Sequence, residues 1–192
     1  MNEKLLSVFT KIPTLYTERL TLRKLAVSDA DDMYEYSKRF EVSKYLLWSP
    51  HESRWATKGY LSYLQRQYAK KQFYDWAITL SDSKKMIGTI GFTAFDIENN
   101  SAEVGYVLSS DYWGKGIAAE ALNKIIDFGF DRLSLHRLEA RIMTENLRSK
   151  RVAEKCGFVC EAVMRDKLYV KGEYRTIDIF ARINPANAQV QK

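Results

Sequence analysis

The chain has 192 residues, 46% of them apolar and 28% charged, which is enough to bury a core in one domain without disulfides or metals. No run of roughly eighteen apolar residues occurs, Met1-Asn2-Glu3-Lys4 lacks a signal-peptide layout, and Cys156 and Cys160 have no second pair. A membrane span, a secretory leader, a zinc site and a disulfide framework are therefore disfavoured. A cytoplasmic location is expected, with both cysteines reduced and in or near the core. The net charge of +6 suits work near nucleic acid, a ribosome surface or an acidic ligand, but the basic residues are spread along the chain and no direct sequence-specific reader of nucleic acid stands out.

In chain order, residues 1–17 are a lead-in. Leu20 and Leu22 then alternate with Arg19, Thr21 and Arg23, predicting a strand with one buried face. Ser28 or Asp29 suits the N-cap of a short helix ending near Phe40, with Met33 and Tyr36 at helical spacing. An aromatic loop, Tyr45 to His51, is broken by Pro50; it either lines a site or plugs a gap. A helix from about Glu52 to Lys70 follows. From Phe73 the period changes to two, and three strands (Phe73–Leu80, Met86–Phe92, Ala102–Leu108) read as an antiparallel meander. In the third, Glu103, Gly105 and Val107 share one face.

Next comes Asp111-Tyr112-Trp113-Gly114-Lys115-Gly116-Ile117-Ala118-Ala119-Glu120-Ala121, a glycine turn running into an amphipathic helix that buries Leu122, Ile125, Ile126, Gly129 and Leu133. Glycines let a ligand approach the backbone, the first helical turn offers unpartnered N–H groups, and the helix dipole and Lys115 add positive charge. Such a turn is a cradle for a diphosphate. A strand at Arg137–Met143 completes a crossover that favours a parallel pair. A short helix, Leu147–Lys155, stops at Gly157. A hairpin about Val170-Lys171-Gly172 ends the fold, and the tail from Asn184 reads as disordered, giving one domain over 1–184 and a flexible 185–192.

Gly114-x-Gly116-x-x-Ala119 formally fits a dinucleotide fingerprint, yet the strands before it form a meander and only one crossover exists. A P-loop fails because Gly116 follows Lys115 where Ser or Thr is needed. The order of elements, together with Thr17-Glu18-Arg19-Leu20-x-Leu22-Arg23, Glu103-Val104-Gly105-Tyr106, Tyr112-Trp113-Gly114-Lys115-Gly116-Ile117-Ala118-x-Glu120-Ala121 and Asn146-x-x-Ser149-x-x-Val152-x-Glu154-Lys155-x-Gly157-Phe158, resembles the GCN5-related N-acetyltransferase (GNAT) superfamily, within it the RimJ/RimL-like branch that acetylates ribosomal-protein N-termini. The resemblance spans roughly Thr17 to Ile183. It implies an α/β (α+β) fold: a mixed, mostly antiparallel sheet of six to seven strands with about four helices, the strands splayed at the acetyl-CoA site. It also implies acetyl-CoA as co-substrate with no metal and an acceptor amine, possibly of a ribosomal protein; homodimerisation stays open.

By the same resemblance the amides of Gly114, Lys115, Gly116, Ile117 and Ala118 would hold the pyrophosphate, with Trp113 in the place usually taken by Gln or Arg. Asn146 would bond the pantetheine arm, Ser149 would protonate the leaving thiolate, and a backbone N–H near Val107 or Leu108 would meet the thioester oxygen. Helix capping and a solvated helix face are the alternative for Asn146 and Ser149. A protein α-amine, with a pKa of about 7.7–8.0, needs only a modest base. Glu103 is the candidate, with Glu161 and Glu139 as alternates; His51 and His136 each stand alone and read as loop packing and a connector. A small amine such as a polyamine, amino sugar or antibiotic is the alternative acceptor, marked by a more acidic cleft, and a non-catalytic coenzyme A-binding module is the third reading.

Overall fold

The computed structural model describes residues 12–70 and 74–186; Phe73 and the chain beyond 186 lie outside the described residues. Two-residue β1 (Leu15–Tyr16) leads into β2 (Leu20–Lys24), where Leu20 and Leu22 are fully buried as their alternation requires. Helix α1 spans Ala30–Ser37, and a separate single turn, α2, spans Phe40–Ser43. The first helix thus stops before the expected Phe40; Arg39 between the two is extended, and its guanidinium donates to Asp111 and Ser110. Helix α3 (Arg54–Ala69) opens on Ser53, whose Oγ accepts from Ala56 N–H.

Strands β3 (Asp75–Leu80), β4 (Met86–Asp96) and β5 (Ser101–Leu108) pair antiparallel as the meander requires. Helix α4 (Ile117–Asp127) continues through a five-residue π turn, Phe128–Arg132, that keeps Leu133 buried. Strand β6 (Arg137–Met143), helix α5 (Leu147–Lys155) and the hairpin β7 (Val159–Val170) and β8 (Glu173–Ile183) complete the chain. The eight strands form one sheet in the order β1-β2-β3-β4-β5-β6-β8-β7, with β5–β6 its single parallel pair. The count is one strand above the six to seven expected and one helix above four. The additions, β1 and α2, are too short for any period to show.

Cores lie on both faces of the sheet. Trp76 and Ile78 of β3 pack with Leu122 and Ile125 of α4, while Ala77 between them turns to Met33, Tyr36, Leu61 and Leu64 of α1 and α3. Asn184, expected to begin a disordered tail, is buried and hydrogen-bonds Leu135 O and His136 O. Cys156 is buried but Cys160 is exposed, because β7 is the outermost strand and nearly all its residues face solvent. Among the described residues no helix is long and apolar enough to cross a membrane.

Candidate active site

The parallel pairing of β5 with β6 lasts three residues, Ser101–Glu103 against Arg137–Glu139. Beyond it β6 stays with β8 and β5 stays with β4, so the edge of β5 from Val104 to Leu108 loses its partner. A cavity of about 720 Å³ occupies the opening. Tyr106, Val107 and Leu108 form one wall, Trp113, Gly114, Gly116, Ile117 and Ala118 another, and Asn146 and Ser149 of α5 a third; Lys44, Arg148, Arg151 and Lys155 add positive charge.

The glycine turn is shaped as the cradle demands. Gly114 and Gly116 have φ of +75° and +77°, the left-handed region glycine adopts without penalty. A Cβ at Gly114 would meet only open space, so the turn presents bare backbone to the cavity. The first α-helical bond runs from Glu120 N–H to Gly116 O, so the N–H groups just before it lack carbonyl partners from the helix and point out of its positive end. These features fit a diphosphate. Lys115 contributes backbone but its side chain lies outside the cavity wall, with Nζ 5.2 Å from the centroid of the Tyr112 ring. Trp113 braces the turn: its indole N–H donates to Leu108 O at 2.9 Å, and the Arg148 guanidinium lies 4.3 Å from its ring centroid.

Two stretches far apart in sequence meet at the rim of the cradle. Thr17 Oγ1, the Arg19 backbone N–H and Arg19 Nε all donate to the Glu120 carboxylate at 2.6–2.9 Å, and Arg19 Nη1 reaches Lys115 O at 3.1 Å. Burial pushes the Glu120 pKa upward, but these donors outweigh it and hold the carboxyl below its ordinary value. The Thr-Glu-Arg segment therefore fastens the helix that carries the cradle.

Asn146 caps α5, its Oδ1 accepting from Ser149 N–H at 3.2 Å, and both residues also line the cavity. Capping and site roles thus coexist at Asn146. Ser149 Oγ lies 2.8 Å from the Tyr106 hydroxyl, which is also within 3.0 Å of Ser149 O. Burial raises the Tyr106 phenol to about 12 despite the Ser149 contact, keeping it protonated. Neither Tyr106 nor Arg148 was expected as a site residue, and alternation within β5 offered only that Tyr106 faces opposite to Val107.

The expected carboxylates lie elsewhere. Glu103 sits on the last parallel rung, its Oε2 3.0 Å from Arg141 Nε, and it is not in the wall of the cavity. Glu139 and Glu161 are both bound by Arg137. His136 serves as a connector: its N–H donates to Asn100 O and its carbonyl accepts from Asn184 N–H.

A second cavity, of about 160 Å³, adjoins the first through Val107, which lines both. It lies between α1, α3 and the sheet and is walled by Tyr36, Ser37, Trp48, His51, Tyr60 and Asp75, among others. The aromatic loop serves both cavities, with Tyr45 in the larger and Trp48 and His51 in the smaller. Burial pushes the Asp75 carboxyl up to about 7 and holds the His51 imidazole below its ordinary value. Among the described residues no group of three or more His, Cys, Asp or Glu could hold a metal ion.

Residues 19–159 match the family model of the acetyltransferase (GNAT) domain. The chain belongs to this family. It is 38% identical over 167 residues to an uncharacterized N-acetyltransferase, p20, of Bacillus licheniformis, covering 87% of this chain and 93% of that protein. A solved GNAT-family acetyltransferase from Bacillus anthracis superposes with a TM-score of 0.79 at 25% identity, covering 90% of this chain and 99% of that one. The GNAT family draws its acetyl group from acetyl-CoA, and this member is an acetyl-CoA-dependent N-acetyltransferase.

Proposed function

We propose that the acceptor is a protein N-terminal α-amine, as in the RimJ/RimL-like branch, and that the acetyl group passes to it directly within a ternary complex. The ribosomal-protein-serine acetyltransferase of Escherichia coli supports this reading, being 25% identical over 174 residues that cover 87% of this chain and 94% of that protein. The observation that carries it is the smaller cavity. Its wall holds one carboxylate, Asp75, and a histidine kept neutral, which is far from an acidic cleft for a polycation. An α-amine with a pKa of about 7.7–8.0 is partly neutral at pH 7 and can react there.

In this reading the amides of Gly114 to Ala118, at the positive end of α4, hold the pyrophosphate of acetyl-CoA, and Arg148, Arg151 and Lys155 offset its charge. Asn146 spends Oδ1 on the cap and directs its amide N–H groups at the pantetheine arm. A backbone N–H at Val107 or Leu108, on the open edge of β5, meets the thioester oxygen; one such donor is worth about 2.7–4 kcal/mol in a transition state. Tyr106 gives its one hydrogen to Ser149 O and so accepts from Ser149 Oγ, which fixes the serine hydroxyl at the cavity wall, where its hydrogen would turn from Tyr106 to protonate the departing sulfur. Glu103, engaged by Arg141, fixes the rung at which β5 and β6 part.

A second reading rests on Asp75, since one half-buried carboxylate in the cavity wall also suits an aminoalkyl cation. The spermidine N(1)-acetyltransferase of Vibrio cholerae is 26% identical over 163 residues, covering 83% of this chain and 90% of that protein. Thiol release from acetyl-CoA, measured with peptides carrying ribosomal-protein N-termini and with spermidine, separates the two. Peptide turnover is expected to exceed that of spermidine, and Ser149→Ala to lower kcat by about a hundredfold on the better acceptor. Spermidine as the better acceptor would overturn the α-amine reading.

A further inference from the structure

The smaller cavity holds polar groups that the donor-side chemistry does not use. His51 is held at two points. Its backbone N–H donates to Ser37 O at 3.1 Å, and its ring Nδ1 lies 2.8 Å from Thr57 Oγ1. The Thr57 hydroxyl gives its one hydrogen to Ser53 O at 3.1 Å, so toward the imidazole it can only accept. Nδ1 therefore carries the ring proton, and the lone pair sits on Nε2. The rings of Trp48 and Tyr60 flank the imidazole, with centroids 5.3 and 5.9 Å away.

Two further groups in the wall want a partner. Ser37 Oγ, in a residue 1% exposed, is the one fully buried side-chain oxygen or nitrogen without a hydrogen bond among the described residues. An orphaned buried hydroxyl is costly unless something completes it. The Asp75 carboxylate has no hydrogen bond or ion pair to any described residue, and it lies against Gly91, where a Cβ would come within 2.3 Å of Oδ1. A half-buried carboxylate with no partner among the described residues is poorly solvated, and an arriving cation would restore its charged form.

We infer that this cavity is the acceptor-amine subsite, with Asp75 and Ser37 receiving the incoming ammonium and His51 Nε2 taking its proton. The inference rests on the reading of this chain as an enzyme that acetylates a primary amine. Val107, common to both cavities, marks where amine and thioester meet. The ammonium loses two protons in all. One passes to His51 Nε2 and on to solvent; the other ends on the sulfur. The nitrogen–acetyl bond forms, the carbon–sulfur bond breaks, and the products are an amide, a thiol and one released proton. The space adjoins the larger cavity through Val107, so an amine on a small N-terminal residue or an alkyl end can reach the thioester from it.

The titratable groups facing His51 are Tyr60 from α3, Tyr36 from α1 and Asp75 from β3. Burial raises Tyr60 to about 12 and Tyr36 further, so both stay neutral and Asp75 is the neighbour that titrates near neutrality.

The test is steady-state thiol release from acetyl-CoA, with a serine-initiated peptide and with spermidine as probes, alongside calorimetric acetyl-CoA binding. His51→Gln should lower kcat about a hundredfold or more, leave acetyl-CoA affinity unchanged, and remove the acid limb of the kcat/KM profile. His51→Ala should be partly rescued by added imidazole. Asp75→Asn should raise the amine KM about tenfold with a smaller change in kcat. His136→Gln, outside both cavities, should behave as wild type. Wild-type kcat and pH profile in His51→Gln would overturn the inference while leaving the amine reading intact. A wild-type chain that binds acetyl-CoA but acetylates neither probe would overturn the amine reading and the inference with it.

Discussion

The two halves of the site are built in opposite ways. The proposed donor half is mostly one continuous stretch, Trp113 to Ala118, set against the open edge of β5 and one face of α5, and backbone groups do most of its work. The acceptor half takes Tyr36 and Ser37 from α1, His51 from a loop, Tyr60 from α3, Asp75 from β3 and Val107 from β5, and side chains do its work. A diphosphate is the same in every reaction of this kind, so a single backbone cradle serves. The acceptor is what varies, and scattered side chains can be exchanged one at a time.

This contrast makes the glycines of the two halves unequal. Gly91→Ala would push a Cβ to 2.3 Å from Tyr74 O and from Asp75 Oδ1 and 2.5 Å from Asp75 Cα, contacts that backbone cannot relieve. Chemical denaturation should show a loss of about 3 kcal/mol, at the upper end of ordinary overpacking, with the amine KM raised through the displaced carboxylate.

The next effect depends on pH. The Asp75 carboxyl titrates near 7 in the fold against an ordinary 3.8, so its contribution to stability is fully present below about pH 4 and is lost as pH rises through 7. Asp75→Asn does not titrate. It should gain on wild type by about 2 kcal/mol between pH 4 and pH 8, at about 1.36 kcal/mol for each pH unit between the folded and ordinary values and with a discount for the residue's partial exposure. Thermal melts across that range, without acceptor, would read the gap; parallel curves would show that Asp75 has an external counter-charge.

The smallest effect on stability belongs to the donor half. Gly114→Ala meets no neighbour and suffers only the left-handed φ of +75°, a cost of about 1 kcal/mol. Its consequence should fall on acetyl-CoA binding, read by calorimetry, with the amine KM unchanged. Reversal of the two glycine outcomes would dissolve the division between the halves.

Sequence alone determined the meander, the crossover, both helices of the donor half and the cradle itself. Each of these is written in a local period, in positive-φ glycines or in a cap, and local sterics leave little choice. The family resemblance implied that strands part at the site, but the rung at which β5 leaves β6 and the sites of the carboxylates were decided only by tertiary structure. Glu103, on a suitable strand, is taken by Arg141; Glu139 and Glu161 are taken by Arg137. Asp75 read as one residue inside the strand expected over Phe73–Leu80, and His51 looked isolated until the fold set Thr57 Oγ1 2.8 Å from its Nδ1, which leaves the lone pair on Nε2. A base is made by what surrounds it, and its surroundings here come from five elements that only the folded sheet brings together.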